Sequence, residues 1–261
     1  MEESADKILL LIDFDGTIVD GDIVNTMFEA TLNKEELRYV FENEQMNYAQ
    51  SMVRYFKLMK SKGKNLNDIN PILETMKFND GIEDLFNYIK ENKNKFFVIL
   101  IFIINHYKNI LSIKIVITGD DLYTTSYFLK YKKYYDIFDY FIGLPASIDE
   151  KIDNQMITIQ FLPPHNCDFC DKSLCKTNEF LKFLDINPEY KNSKIFYICD
   201  GWNDFCLSKN YLTEKDYIMA RKGFSFWKLM QKEKYNKEIK SQVFYWNFGQ
   251  EIIDFIKNNS D

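Results

Sequence analysis

A doubly wound, mainly parallel, Rossmann-like α/β sheet with an inserted helical cap is the architecture this sequence predicts, on three observations. The apolar run Ile8-Leu9-Leu10-Leu11-Ile12 ends directly in Asp13-Phe14-Asp15-Gly16-Thr17. A second run, Ile195-Phe196-Tyr197-Ile198, leads one residue later into Asp200-Gly201-Trp202-Asn203-Asp204. Around them, short apolar runs alternate with stretches of helical periodicity, the pattern of a parallel sheet covered on both faces. Ligands of such sheets lie beyond the carboxyl ends of the strands, where Asp13 and Asp200 fall.

Taken in order, Lys7 to Asp13 reads as the first strand. From Gly21 to about Asn79 the chain turns helical. Asn33 with Glu36 has the spacing of a capping box. Leu37, Val40 and Phe41, then Met52, Tyr55, Phe56 and Met59, recur at helical spacing as far as Lys62, and Gly63 suits a C-terminal cap. Gly81 to Asn92 is an amphipathic helix with Ile82, Leu85, Phe86 and Ile89 on one face. Strands are expected at about Phe97–Ile103, Lys114–Thr118, Tyr140–Leu144, Thr158–Phe161, Lys194–Cys199 and Asp216–Ala220, with a helix over Lys176–Leu184. The helical block interrupts the α/β alternation, so residues 1–20 and 80–261 form the expected core and 21–79 an insertion. No internal repeat and no Pro/Gly/Ser-rich linker stands out.

Composition narrows the function. At 261 residues and 46% hydrophobic, the chain can bury a sizeable core. A net charge of −6 argues against nucleic acid as the main partner, while leaving room for small phosphorylated ligands. The start, Met1-Glu2-Glu3-Ser4-Ala5-Asp6-Lys7, is acidic, unlike the basic start of a secretory signal. Five cysteines, an odd number, read as reduced thiols or metal ligands, and a cytoplasmic location is expected. The run Phe96–Ile104 is far shorter than the roughly 20 residues of a membrane span and reads as a buried strand, so no membrane partner is expected.

Two carboxylates two residues apart at a strand end project to the same side of the pleat, and such close like charges call for a divalent cation or a shared proton. Asp and Gly are also ordinary turn residues, which is the plain alternative for either acidic cluster. An EF-hand fails on spacing, since loop position six is Ile18 rather than Gly and position twelve is Val24 rather than Glu.

Asp13-Phe14-Asp15-Gly16-Thr17 after a hydrophobic strand resembles the first motif of the haloacid dehalogenase superfamily, mostly magnesium-dependent phosphohydrolases. The resemblance implies Asp13 as nucleophile and Asp15 as the acid that protonates the leaving oxygen and then activates water. Thr118, after Ile115-Val116-Ile117, matches the second motif, a hydroxyl bonding a phosphoryl oxygen. Lys176 matches the third, a cation neutralising aspartate and phosphate. Asp200 and Asp204 match the fourth, with Asn203 on the phosphate. Asp13, Asp15 and Asp200 would hold Mg2+, and Asp204 would support the metal's waters. Singly, Thr118 or Lys176 would pass for structural residues; their order along one α/β pattern carries the weight.

A narrower resemblance lies in His165-Asn166-Cys167-Asp168-Phe169-Cys170 and Cys175-Lys176, followed by Asp200-Gly201-Trp202-Asn203-Asp204-Phe205-Cys206. It is similar to the phosphoethanolamine/phosphocholine phosphatase group, related to pyridoxal phosphate and plant phosphate-starvation phosphatases. The similarity continues through Gly143-Leu144-Pro145-Ala146 and Ala220-Arg221-Lys222-Gly223 to Trp246. His165, Cys167, Cys170 and Cys175 are a candidate structural zinc set bracing the loop before Lys176, set against the reading of buried cysteines as small core hydrophobes. Several positions depart from the group. Asp20-Gly21-Asp22-Ile23-Val24 replaces its Asp-x-Asn-Ser-Asp, Gly119 stands where an aspartate follows the hydroxyl, Gly16 replaces a glutamate, and Cys199 replaces a glycine. Asp22, Asp120 and Asp121 are candidates to supply the missing acidic groups. The apolar excess Phe96–Ser112 reads as an added strand or as translated intron sequence.

The leading expectation is therefore a magnesium-dependent phosphatase that hydrolyses a small phosphorylated metabolite through an aspartyl-phosphate. The alternatives are a pyrophosphatase or phosphotransferase on the same site, and an inactive zinc-braced interaction protein. Nothing in the sequence sets the substrate or the oligomeric state.

Overall fold

The computed structural model describes residues 8–41, 46–92, 112–148 and 156–260. β1 (Ile8–Ile12) opens the chain and is followed by four helices, α1 (Ile23–Thr31), α2 (Lys34–Phe41), α3 (Tyr48–Ser61) and α4 (Leu66–Thr75). Then come α5 (Ile82–Glu91), β2 (Ser112–Asp121), α6 (Leu122–Tyr131), β3 (Tyr140–Leu144), β4 (Ala146–Ile148) and β5 (Ile157–Ile159). The remainder is α7 (Lys176–Ile186), β6 (Lys194–Cys199), α8 (Asp204–Asn210), β7 (Tyr217–Arg221), α9 (Ser225–Met230), α10 (Glu233–Asn236), β8 (Gln242–Trp246) and α11 (Gly249–Asn259).

Among the described residues six strands form one sheet in the order β3-β2-β1-β6-β7-β8, every pair parallel. β1 is central and apolar throughout because both of its faces are covered. Leu10 and Ile12 enter one core with α5, α6 and α11, and Leu9 and Leu11 enter the other with α7, α8 and α9. The first core also takes in Met27, Phe28, Val40, Tyr55 and Met59, so the inserted helices share the body's hydrophobic interior. Hydrogen bonds from Tyr123 Oη to Asn70 and from Tyr127 Oη to Glu74 join α6 to α4. The strand order reverses direction between β1 and β6, and that switch point opens the crevice.

Local chemistry accounts for the helix starts. Asn33 accepts from the Glu35 and Glu36 N–H groups while Glu36 accepts from the Asn33 N–H, the expected capping box. The stretch expected as one helical block contains a second start, because Asn47 and Gln50 form another reciprocal box that initiates α3. α3 ends at Ser61, and Gly63 takes φ +71 just beyond it. α5 and α11 begin so close together that the place of a Cβ on Gly249 is taken by the Gly81 carbonyl.

Two strand expectations need correction and one lies out of reach. Thr158–Phe161 was expected within the alternating pattern, yet β5 pairs antiparallel with β4 in a separate two-stranded sheet. A parallel return needs a crossover of a dozen or more residues, and only eight, 149–156, lie between β4 and β5. β8, the edge strand, adds a pairing that had not been expected. The expected strand Phe97–Ile103 and most of the Phe96–Ser112 segment lie outside the described residues.

Candidate active site

β1 and β6 run side by side with Ile12 opposite Ile198, so the residues that leave their carboxyl ends are neighbours. The Asp13 N–H donates to the Ile198 carbonyl at 2.9 Å, extending this pairing by one residue. Asp13 Oδ1 accepts from its neighbour Phe14 N–H at 2.8 Å and lies 2.6 Å from Lys176 Nζ. Asp200 Oδ1 accepts from Thr17 Oγ1 at 3.0 Å. One oxygen from each of Asp13, Asp200 and Asp204 falls within 4.8 Å of the others.

Lys176 is the first residue of α7 and is fully buried. Burial opposes its charge, but Asp13 and Asp204 outweigh burial and hold the ammonium well above its ordinary value. Lys176 was expected to touch substrate phosphate as well; in the structure its Nζ is held between Asp13 and Asp204. Asp204 is likewise committed to the protein. Its Oδ1 takes Lys176 Nζ at 2.5 Å and the Tyr197 hydroxyl, and its Oδ2 takes the Gly201 N–H at 2.7 Å and the Asp200 N–H at 3.3 Å. With four donors on one carboxylate, Asp204 holds the lysine and the 200–204 loop, whereas a support for metal-bound water was expected.

Asp15 departs from its expected placement as a metal ligand. The rule that residues i and i+2 share a face requires extended backbone, and β1 ends at Ile12. Phe14 begins a turn in which its carbonyl accepts from the Ile18 N–H, and Asp15 Oδ1 instead accepts from the Ile23 N–H at 3.0 Å. The Asp15 carboxylate is outside the close Asp13–Asp200–Asp204 group. Burial, the charge and hydrogen bond of Asp120, and Asp22 all raise Asp15 well above the usual carboxylate range. That direction favours the protonated form, the form a leaving-group acid needs.

A cavity of about 530 Å³ opens above these groups. Asp13, Asp15, Asp200, Thr118 and Asn203 line it together with Asp22 and Asp120, while Phe169, Trp202 and Phe224 supply aromatic surface. Thr118 Oγ1 donates to Asp120 Oδ2 and accepts from the Asp120 N–H, both at 3.1 Å. Of the three candidate acidic groups, Asp22 and Asp120 reach the cavity. Asp121 turns away to cap α6 by accepting from the Tyr123 and Thr124 N–H groups.

Several working residues escaped the sequence reading. Buried Asn79, where the chain re-enters the α/β body, donates from Nδ2 to the carbonyls of Gly16, Thr17 and Val19 at 2.8–2.9 Å and so shapes the turn after Asp13. Arg221 Nη1 donates to the Gly16 carbonyl from the far strand β7. Gly16 has φ +66, and the place of its Cβ is filled by the Asp200 carboxylate, so the glutamate usual at this position would require Asp200 to move. No short-range pattern marks Asn79, and Arg221 stood out only as part of the Ala220-Arg221-Lys222-Gly223 similarity, with no role attached, because the partners of both are remote in sequence.

The residues present fit a divalent cation. Burial and the neighbouring Asp204 push Asp200 up to about 7, and burial followed by Asp204 raises Asp13 against the opposing effect of Lys176. Three carboxylates face the Lys176 ammonium in this buried corner, with the partly buried Arg221 also acting on Asp200, and a divalent cation at Asp13 and Asp200 would relieve the remaining excess of negative charge. The cysteine set also differs from expectation. Cys167, Cys170 and Cys175 gather with Cys206, while His165 is turned aside, its Nε2 near the Asp171 carbonyl at 2.9 Å and its Nδ1 accepting from the Cys167 N–H.

Residues 8–259 match the family model described as Putative Phosphatase. The chain belongs to that family. Pyridoxal phosphate phosphatase PHOSPHO2 of Homo sapiens is 30% identical over 257 residues, covering 96% of this chain and 98% of that protein. A phosphoethanolamine/phosphocholine phosphatase of Gallus gallus is 25% identical, covering 96% of this chain and 88% of its own length. Among solved structures, a phospho-aspartyl intermediate analogue of phosphoserine phosphatase superposes with TM-score 0.54 at 16% identity, covering 96% of this chain and 99% of that one. A haloacid dehalogenase family hydrolase from Salmonella enterica serovar Typhi gives TM-score 0.57 at 15% identity, covering 97% of this chain and 72% of that one. The fold is thus that of the haloacid dehalogenase-like hydrolases, and the family model and relatives make the chain a phosphatase. Among the described residues no helix is long and apolar enough to cross a membrane.

Proposed function

We propose that this phosphatase hydrolyses a small phosphomonoester through an aspartyl-phosphate on Asp13 and depends on Mg2+. The observation that carries the reading is the placement of Asp13 at the β1/β6 switch point, bonded from below by Lys176 and flanked by Asp200. A carboxylate oxygen of Asp13 attacks phosphorus, and the bond from phosphorus to the leaving oxygen breaks. That oxygen takes the proton of Asp15. Asp15, now a base, accepts a proton from water as the water oxygen attacks phosphorus, the Asp13–phosphorus bond breaks, and inorganic phosphate leaves. Mg2+ held by Asp13 and Asp200 would supply positive charge for the phosphoryl oxygens. Asn203 and Thr118, both in the cavity wall, orient those oxygens, Asn203 through Nδ2 and Thr118 once its hydroxyl proton turns from Asp120 to the phosphoryl group.

Helices α1–α4 act as the cap that selects the substrate. Asp22 and Asp120 line the cavity beside aromatic Phe169, Trp202 and Phe224, a combination suited to a leaving group that carries positive charge or a ring. Pyridoxal phosphate, thiamine phosphate, phosphoethanolamine and phosphocholine are the first candidates, and they match the names of relatives. Phosphate release from these esters and from pyrophosphate, with Mg2+ and with EDTA, tests the proposal. Magnesium-dependent release from one or more of the esters is expected. Release insensitive to EDTA, or confined to pyrophosphate, would overturn it.

A further inference from the structure

We propose that Cys167, Cys170, Cys175 and Cys206 form a four-thiolate structural zinc site that clamps the loop preceding Lys176 to helix α8. Three of the cysteines come from the loop that ends at α7. The fourth, on α8, lies more than thirty residues further along the chain. One sulfur from each falls within 4.8 Å of the others, with Cys167–Cys206 at 3.2 Å and Cys175–Cys206 at 3.6 Å. Tetrahedral zinc with Zn–S bonds of about 2.3 Å sets its sulfurs roughly 3.8 Å apart, so small shifts bring this cluster to coordination distance.

The surroundings favour bound thiolates over neutral core thiols. Two of the sulfurs, those of Cys167 and Cys206, have donors aimed at them. The Phe169 N–H donates to Cys167 Sγ at 3.4 Å. Thr177 Oγ1 lies 2.9 Å from Cys206 Sγ, and Asn210 Nδ2 donates to the same sulfur at 3.6 Å. Donors of this kind stabilise negative sulfur and orient ligands. Cys170 also reaches the Asn203 carbonyl at 3.7 Å, a contact that metal binding would replace. Cys175 is the N-cap of α7, where the helix dipole favours an anion. A separate cavity of about 390 Å³, lined by Cys167, Cys175, Cys206 and Lys209, gives a route for the ion. Four sulfurs with no oxygen ligand select zinc over magnesium.

The consequence reaches the active site without touching the substrate. Cys175 immediately precedes Lys176, and Cys206 is two residues beyond Asp204. A metal joining the two sulfurs therefore fixes the backbones that carry the Lys176–Asp204 ion pair.

The test is elemental analysis of the full chain purified without chelator, with the cobalt(II)-exchanged protein read by visible absorption. Near-stoichiometric zinc and the intense absorption of a tetrahedral thiolate site are expected. His165→Ala and Cys199→Ala should keep zinc, and Cys206→Ser should lose it to background and unfold at a lower temperature. If Cys206→Ser does not fold, the cobalt spectrum of the unsubstituted chain still separates four sulfur ligands from three sulfurs and one nitrogen. Zinc-free protein with all thiols titratable, zinc retained by Cys206→Ser, or zinc lost on His165→Ala would each overturn the proposal.

Discussion

Lys176 Nζ lies 2.6 Å from Asp13 Oδ1 with both side chains buried, so the nucleophile candidate and its cation form a fixed pair within the protein. Asp204 completes the arrangement from the opposite side at 2.5 Å. One ammonium thereby orients Asp13 and ties α7 to α8.

Lys176→Met should be severe for stability and turnover together. Removing one partner of a buried charge cluster leaves the carboxylates of Asp13 and Asp204 uncompensated, a loss of about 3–5 kcal/mol. Urea unfolding of both proteins checks it; a loss below about 1 kcal/mol, the scale of an exposed ion pair, would show that Lys176 is not holding the cluster.

Asp13→Asn should reduce turnover to background while the protein still folds. The amide keeps the shape but forms no acyl-phosphate, and an anionic ligand is lost from the metal position. Magnesium should raise the unfolding temperature of the unsubstituted chain and raise that of the variant much less. Wild-type-like turnover would rule out Asp13 as nucleophile.

Asp15→Asn should discriminate between leaving groups. An alkyl phosphate needs a proton on its departing oxygen and should lose on the order of 10²–10⁴-fold in rate. An activated aryl phosphate needs none, so its first step should suffer less, as burst kinetics would reveal. Equal losses on both esters would argue against Asp15 as the acid.

Asp121 should give stability a dependence on mildly acidic pH. Burial pushes its carboxyl from 3.8 up to about 6, although the Thr124 and Tyr123 N–H groups favour its charge. The folded protein thus keeps a proton that the unfolded chain releases. The contribution of Asp121 to stability falls as pH rises through that interval and is level above it. Asp121→Asn keeps an acceptor for the α6 N-terminus and does not titrate. Between about pH 4 and about pH 7 the variant should gain on wild type by on the order of 2–3 kcal/mol. Denaturant midpoints at the two pH values measure the difference; parallel behaviour would contradict it.

Much of the architecture is written locally. Leu9 to Ile12 are apolar without alternation because both faces of a central parallel strand are covered, and a run of that kind needs no partner to be recognised. Asn33 with Glu36 and the apolar face of Ile82, Leu85, Phe86 and Ile89 are short-range patterns as well. Asp13, Thr118, Lys176 and Asp200 were read from their match to the superfamily's motifs, and they fall just past β1, within β2, at the start of α7 and just past β6.

What only the tertiary structure decided depends on contacts between distant parts of the chain. The sequence by itself determined the parallel α/β class, the position of Asp13 at a strand end and the helical character of the stretch after β1, because periodicity and strand-end chemistry act over a few residues. Packing decided that the Asp15 carboxylate lies apart from the Asp13, Asp200 and Asp204 group once the backbone turns at Phe14, and that Asp204 accepts from Lys176, Tyr197 and two backbone N–H groups. It also brought Cys206 to the cysteines of the loop in place of His165, and Asn79 to the turn after Asp13. A side chain's partner across sixty or two hundred residues is set by how the layers close on one another, and one-dimensional spacing does not carry that information.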